Sequence, residues 1–330
     1  MQGTSPAPGS QLGLTLQKVN EARNLLREIV PASRMVEASS LSEATGARVF
    51  LKLEAEGPTG SFKVRGAYHA IRKRMQLGPI PGVVTSSTGN HGAATAFSAR
   101  QLGLPSRIYL PENPNPAKRA RIAQQGAEIV EVGEYLELSR EHAERFAAVS
   151  GWFNLVDGTE AEMLPGTATI GSEILEQAPE VDAIFVPVGD STLLRGLAFA
   201  AKTLKPEVKI IGVQAERAPA YALAFEKGHG ISTDSSDTIA DGLAAREAPE
   251  ANVRQIKNLA DEFLLVSEDE MLAAIRHLHE REGILAEPSG AATTAALLKT
   301  GKAHAGKAIV LLVTGANISE EILRRALQDA

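Results

Sequence analysis

Short β-rich runs alternate with stretches of helical length along almost the whole chain, and this alternation limits the possible folds more than any other feature. Residues 48–54 (RVFLKLE), 82–86 (GVVTS), 106–111 (SRIYLP), 127–132 (AEIVEV), 183–189 (AIFVPVG), 209–214 (KIIGVQ), 262–267 (EFLLVS) and 308–315 (AIVLLVTG) read as strands. Amphipathic segments separate most of them. The first carries Val64, Tyr68, Ile71 and Met75 at i, i+4, i+7 and i+11, which is one helix face. Alternation of this kind predicts an α/β fold, doubly wound on mainly parallel sheets. The 330 residues suffice for one large or two ordinary domains.

Composition removes several function classes. The net charge of −6 argues against nucleic acid or an anionic membrane as partner. The runs RKR (72–74) and KRAR (118–121) read as solvated helix faces. There are no cysteines, so disulfides, thiolate nucleophiles and Cys-based zinc sites are excluded. The opening MQGTSPAPGS lacks the basic start and apolar core of a secretory signal, and no apolar run is long enough to span a bilayer. A cytoplasmic location is the default expectation, with a flexible tail over residues 1–14.

In such folds ligands bind beyond the carboxyl ends of the strands, so the loops after strands are where chemistry is sought. GVVTS runs into STGNHGAATA, small polar residues followed by a helix, which is either a capped turn or an anion site made of free N–H groups. AIFVPVG runs into DSTLLRG, with the same two readings. It matches neither a dinucleotide fingerprint nor a Walker loop, and Asp190 suits a phosphate only if it points away or caps the helix. Thr314 ends the last strand, where its hydroxyl can make one hydrogen bond. Lys63, in GSFKVRGA, stands at the start of a helix, where the backbone dipole opposes a cation. A surface lysine is one reading. The other is an amine placed where its proton is easiest to remove, ready to form a Schiff base with an aldehyde.

The motifs GSFKVRGA, SSTGNHGAATA, TIADGLA (238–244), EPSGAA (287–292) and VTGANIS (313–319) resemble, in order, those of the threonine/serine dehydratase family, fold type II of the pyridoxal 5'-phosphate (PLP) enzymes. The resemblance runs from about residue 15 to the C-terminus and implies PLP as cofactor. It implies that Lys63 carries the cofactor as a Schiff base and takes the substrate's α-proton. Phe62 would pack on the ring, and Asn90 would bond its 3′-oxygen. Ser87, Thr88, Gly89 and His91 would hold the substrate carboxylate, largely through backbone N–H groups. Gly189, Asp190, Ser191, Thr192 and Leu193 would form the phosphate loop, and Thr314 would face the pyridine nitrogen. A hydroxyl partner there leaves the ring a weaker electron sink than an aspartate would, which favours prompt loss of a β-substituent. The implied reaction is β-elimination from a β-hydroxy amino acid, giving a 2-oxo acid and ammonia.

The sequence also departs from the family pattern. Its glycine-rich phosphate loop GGGGL is here GDSTL, and its GQGT is GTAT (166–169). Thr88 stands where some relatives carry the serine that acts in racemisation. Gln214 and Ala220, with Ala218 between them, fall where some relatives place two carboxylates for a divalent cation, so no metal is expected there. A β- or γ-replacement transferase and an amino-acid racemase are the alternative activities. A PLP-binding protein without catalysis is a third alternative, opposed by the intact Lys63. The family further implies a homodimer acting on a small amino acid. It also implies two domains, a large PLP-binding one over 15–52 and 155–330, and a small one over 53–154.

Overall fold

The structure is a computed structural model that describes residues 12–328. The first eleven residues of the expected tail lie outside that range, whereas Leu12 and Leu14 are buried in the core.

All eight strands read from the sequence are present, in two sheets. The larger sheet contains β1 (Met35–Glu37), β2 (Arg48–Leu53), β7 (Ala183–Pro187), β8 (Lys209–Ala215), β11 (Glu262–Val266) and β12 (Ala308–Val313), in the order β1-β2-β12-β7-β8-β11. Only β1 is antiparallel to its neighbour, pairing Met35 with Lys52. The smaller sheet contains β3 (Val83–Ser86), β4 (Ser106–Leu110), β5 (Glu128–Glu131) and β6 (Phe153–Asn154), all parallel, in the order β5-β4-β3-β6. A short hairpin joins β9 (Ile231–Ser232) to β10 (Glu247–Ala248). The strands missed from sequence, β1, β6 and this hairpin, are two or three residues long. That is too short for an alternating pattern to register.

Both faces of the larger sheet are covered, as double winding requires. Along β12, Val310 and Leu312 point into one core, shared with helices Leu164–Gln177 and Thr192–Leu204. Ile309, Leu311 and Val313 point into the other, shared with helices Glu268–Arg281 and Pro288–Thr300. The period of two along one buried strand thus feeds two apolar layers. Helices Leu164–Gln177 and Thr192–Leu204 come together at glycine. A Cβ on Gly171 would lie 2.3 Å from the Leu197 carbonyl oxygen, so no larger residue fits without moving a backbone.

In the smaller sheet, helix Lys63–Gln76 buries Val64, Tyr68 and Ile71, the face read from sequence, against Val83 and Ala94. Trp152 packs edge-on to Phe146 at 5.2 Å over the opposite face. The strand ends that matter for chemistry are thereby gathered. β12 and β7 are neighbours, so Thr314 and the loop after Pro187 emerge side by side. The Phe62 N–H donates to the Thr314 carbonyl oxygen at 3.1 Å, which fixes the start of the Lys63 helix to the end of β12.

Candidate active site

The ends of β3, β6, β7 and β12 border one cavity of about 1140 Å³. Its walls include Phe62, Lys63, the run Ser86–His91, Asp157, Gly158, Gly189–Ser191, Leu193, Glu287 and Thr314. With the exception of Thr192, which is buried behind the wall, every site residue expected from the sequence lines this cavity.

Lys63 is the first residue of helix Lys63–Gln76, as expected. The expectation that its proton is easily removed does not hold. Its Nζ donates to Asp157 Oδ2 at 2.6 Å and to Asp190 Oδ2 at 2.9 Å. Burial pushes the amine down, but the two carboxylates together hold it above the ordinary lysine range. A helix dipole contributes about 0.3–1 kcal/mol at an exposed helix end. Two charge-assisted hydrogen bonds at these distances outweigh it. The two acids are pushed apart: burial and the neighbouring Asp190 raise Asp157, whereas Asp190 is held low by Lys63 and by its further hydrogen bonds, against its own burial.

Asp190 also caps. Its Oδ1 accepts the Thr192 N–H at 2.7 Å, at the start of helix Thr192–Leu204. The acid in the loop thus both points to Lys63 and caps the helix. Ser191 adopts φ +68°, a left-handed conformation that favours glycine, which is the residue type of the glycine-rich pattern. A Cβ on Gly189 would lie 2.1 Å from the Gly242 carbonyl oxygen, so the loop is pressed onto TIADGLA and only glycine fits. The Tyr221 hydroxyl donates to the Asp190 carbonyl oxygen at 2.9 Å and accepts from Asn252 Nδ2 at 3.0 Å, bracing the loop.

On the opposite wall, helix Asn90–Gln101 begins in the SSTGNH loop. Asn90 Nδ2 donates to Glu287 Oε1 at 2.7 Å, and Asn90 Oδ1 accepts from Asn317 Nδ2 at 2.6 Å. Glu287 Oε2 accepts the Asn317 N–H at 3.1 Å. Burial pushes the Glu287 carboxyl up to about 7, against the hydrogen bond from Asn90. His91 is buried, with Nε2 bonded to the Leu155 carbonyl oxygen at 3.0 Å and Nδ1 at 3.7 Å from Asp157 Oδ2. Asp157, Tyr221, Glu287 and Asn317 were not singled out from the sequence. Glu287 and Asn317 stand in motifs that were, EPSGAA and TGANIS. Asp157 follows β6, whose two residues left no signal.

PLP fits this arrangement. The cavity holds the Lys63 amine, a loop at a helix N-terminus and buried polar atoms without partners, among them Ser86 Oγ, His91 Nδ1 and Asp157 Oδ1. The Gln214 amide is used internally, donating to the Val188 carbonyl oxygen and accepting the Ala222 N–H. Among the described residues no helix is long and apolar enough to cross a membrane.

Fold and cavity together define a PLP enzyme of fold type II. The chain belongs to the family of pyridoxal-phosphate dependent enzymes, whose model matches residues 27–315. It is 32% identical over 314 residues to the L-threonine ammonia-lyase of Thermotoga maritima, covering 95% of this chain and 78% of that one. It is 34% identical over 310 residues to the catabolic L-threonine dehydratase of Staphylococcus aureus, covering 92% and 89%. Among solved structures, the processed threonine deaminase isoform 2 of Solanum lycopersicum superposes with a TM-score of 0.90 at 28% identity, covering 98% of this chain and 94% of that one. Maize serine racemase gives 0.88 at 28% identity, covering 94% and 96%.

Proposed function

We propose that the protein is an ammonia-lyase that dehydrates and deaminates a β-hydroxy amino acid, threonine or serine, to a 2-oxo acid and ammonia. The observation that carries this reading is Lys63, a part-buried amine where the loops after β3, β6, β7 and β12 converge, held there by Asp157 and Asp190. PLP, when bound, supplies the electron sink that makes the α-proton of an amino acid removable.

The chain's own residues do the rest. Lys63 Nζ would hold the cofactor and, as a free amine, would take the α-proton. The backbone N–H groups of Ser87–His91, at the start of helix Asn90–Gln101, hold the substrate carboxylate. Asn90, fixed by Glu287 and Asn317, has one amide hydrogen left for the cofactor's 3′-oxygen. Phe62 would pack on the ring, Thr314 would face the ring nitrogen, and the loop Gly189–Leu193 would take the phosphate. Loss of the β-hydroxyl as water leaves an enamine, which hydrolyses to the 2-oxo acid and ammonia. In this reading residues 53–154 move as a small domain against 15–52 and 155–330 and close over the substrate. The Lys118–Asp241 ion pair, which joins the two walls at the cavity's border, fits that movement. A homodimer belongs to the same reading, and sedimentation velocity tests it.

Ammonia and 2-oxo acid released from a panel of β-hydroxy amino acids test the activity. Release from threonine or serine alone is expected. A requirement for a second nucleophile would make the protein a transferase, and inversion at the α-carbon without ammonia would make it a racemase.

A further inference from the structure

Arg195 lies on the first turn of helix Thr192–Leu204, directly behind the loop assigned above to the phosphate. It is 6% exposed. Its Nη1 donates to Gln255 Oε1 at 3.0 Å, and its Nη2 donates to the Gly158 carbonyl oxygen at 2.9 Å and lies 3.5 Å from Thr192 Oγ1. Its Nε is buried and has no acceptor. Arg65 offers a contrast within the same chain: equally buried, it is bonded to the carboxylates of both Glu54 and Glu173. Among the described residues no such ion pair is formed by Arg195. The acids nearest in charge, Asp190 and Asp157, are both bonded to Lys63.

An arginine remains charged when buried, and a buried charge calls for a counter-ion. Two of the three groups that Arg195 touches, Gly158 and Thr192, belong to the two loops that meet at the end of the cavity assigned to the phosphate. That end also carries a carboxylate, Asp190, at a position where a glycine-rich loop has none. Asp190 already occupies the Thr192 N–H, one of the donors an incoming anion would use. A phosphate monoester arriving there meets one negative charge and one fewer donor, so a positive charge behind the loop is what restores its affinity.

We propose that Arg195 is a positioning residue for the cofactor's phosphate. Its buried guanidinium, acting through the loop, offsets the charge of Asp190 and makes the GDST sequence a working phosphate cradle. The proposal rests on the loop Gly189–Leu193 receiving the phosphate.

The test compares two aldehydes that share the ring and differ in the phosphate, PLP and pyridoxal. Each is titrated into cofactor-free protein, with binding read by absorbance and the fold checked by thermal unfolding without cofactor. Arg195→Gln is expected to weaken PLP by about tenfold or more, while pyridoxal changes less than about twofold. Arg195→Lys, which keeps the charge but not the fork of hydrogen bonds, is expected to retain most of the preference for PLP. Equal weakening of both aldehydes, or no change in either, would overturn the proposal, because Arg195 would then only shape the loop. If Arg195→Gln does not fold, the Lys variant decides: loss of the preference for PLP contradicts a role for charge. Wild-type protein that binds PLP no better than pyridoxal would instead sink the placement of the phosphate itself.

Discussion

Lys63 and Arg65 stand two residues apart on one helix, and each sits in a cluster of charges, buried around Arg65 and part-buried around Lys63. The two clusters are finished differently. Around Arg65, Glu54 and Glu173 take the guanidinium, Lys52 Nζ meets Glu173 at 2.7 Å, and Ser33 Oγ donates to Glu54 at 2.6 Å. Among these five residues no buried side-chain nitrogen or oxygen lacks a partner. Around Lys63, by contrast, Asp157 Oδ1, His91 Nδ1 and Arg195 Nε are all buried without one. A buried polar network that is fully satisfied fixes a shape, and one left partly open marks where a ligand completes it. The first joins the start of the Lys63 helix to β2 and to helix Leu164–Gln177; the second lines the cavity.

The comparison can be broken at several points. Lys63→Ala should have the largest effect. Visible absorbance from bound cofactor should vanish and turnover should fall by about 10³-fold or more. Retained turnover would place the reactive amine elsewhere. Arg65→Met should leave Glu54 and Glu173 buried without their cation and cost about 3–5 kcal/mol of stability, read by urea unfolding. The cofactor-to-protein ratio of the folded fraction should not change. A loss below about 1 kcal/mol would mean that the closed cluster is no more structural than a surface pair.

Asp157→Asn should act on chemistry rather than stability. One of the two carboxylates that keep Lys63 protonated is removed, so the amine deprotonates more readily. The pH at half-maximal rate of PLP attachment should fall by about one unit, with the unfolding midpoint nearly unchanged. A rise in that pH would reverse the assigned role of Asp157. A last effect concerns Glu287, whose carboxyl is raised to about 7 by burial. The folded chain keeps a proton that the unfolded chain gives up near its ordinary value, about 4.3. The stabilisation is therefore full below that value and is lost as pH rises to about 7, by up to about 1.4 kcal/mol per unit. Glu287→Gln should flatten this part of the stability profile. An unchanged slope would show that Glu287 is ionised throughout.

Much of this was legible in the sequence. Strand–helix alternation gave the α/β class, a helix start singled out Lys63, and the loops after strands pointed to the SSTGNH and GDSTL loops and to Thr314, whose roles the family resemblance then implied. These are features of order along the chain. The protonation of Lys63 was misread because the helix dipole is local and readable, whereas Asp157 and Asp190 reach Nζ from 94 and 127 residues away. Glu287 and Asn317 lay inside recognisable motifs, but their grip on Asn90 depends on bringing together segments 197 and 227 residues apart. Nothing in the local sequence marks Arg195, since its lack of a carboxylate partner appears only when the fold is complete.

The account turns on Lys63 being the amine that carries the cofactor. Borohydride reduction of the PLP-loaded protein, followed by peptide mass spectrometry, tests this directly. A pyridoxyl adduct on the peptide containing Lys63, at about one per chain, is the predicted result. The adduct on any other lysine, or on none, would contradict it.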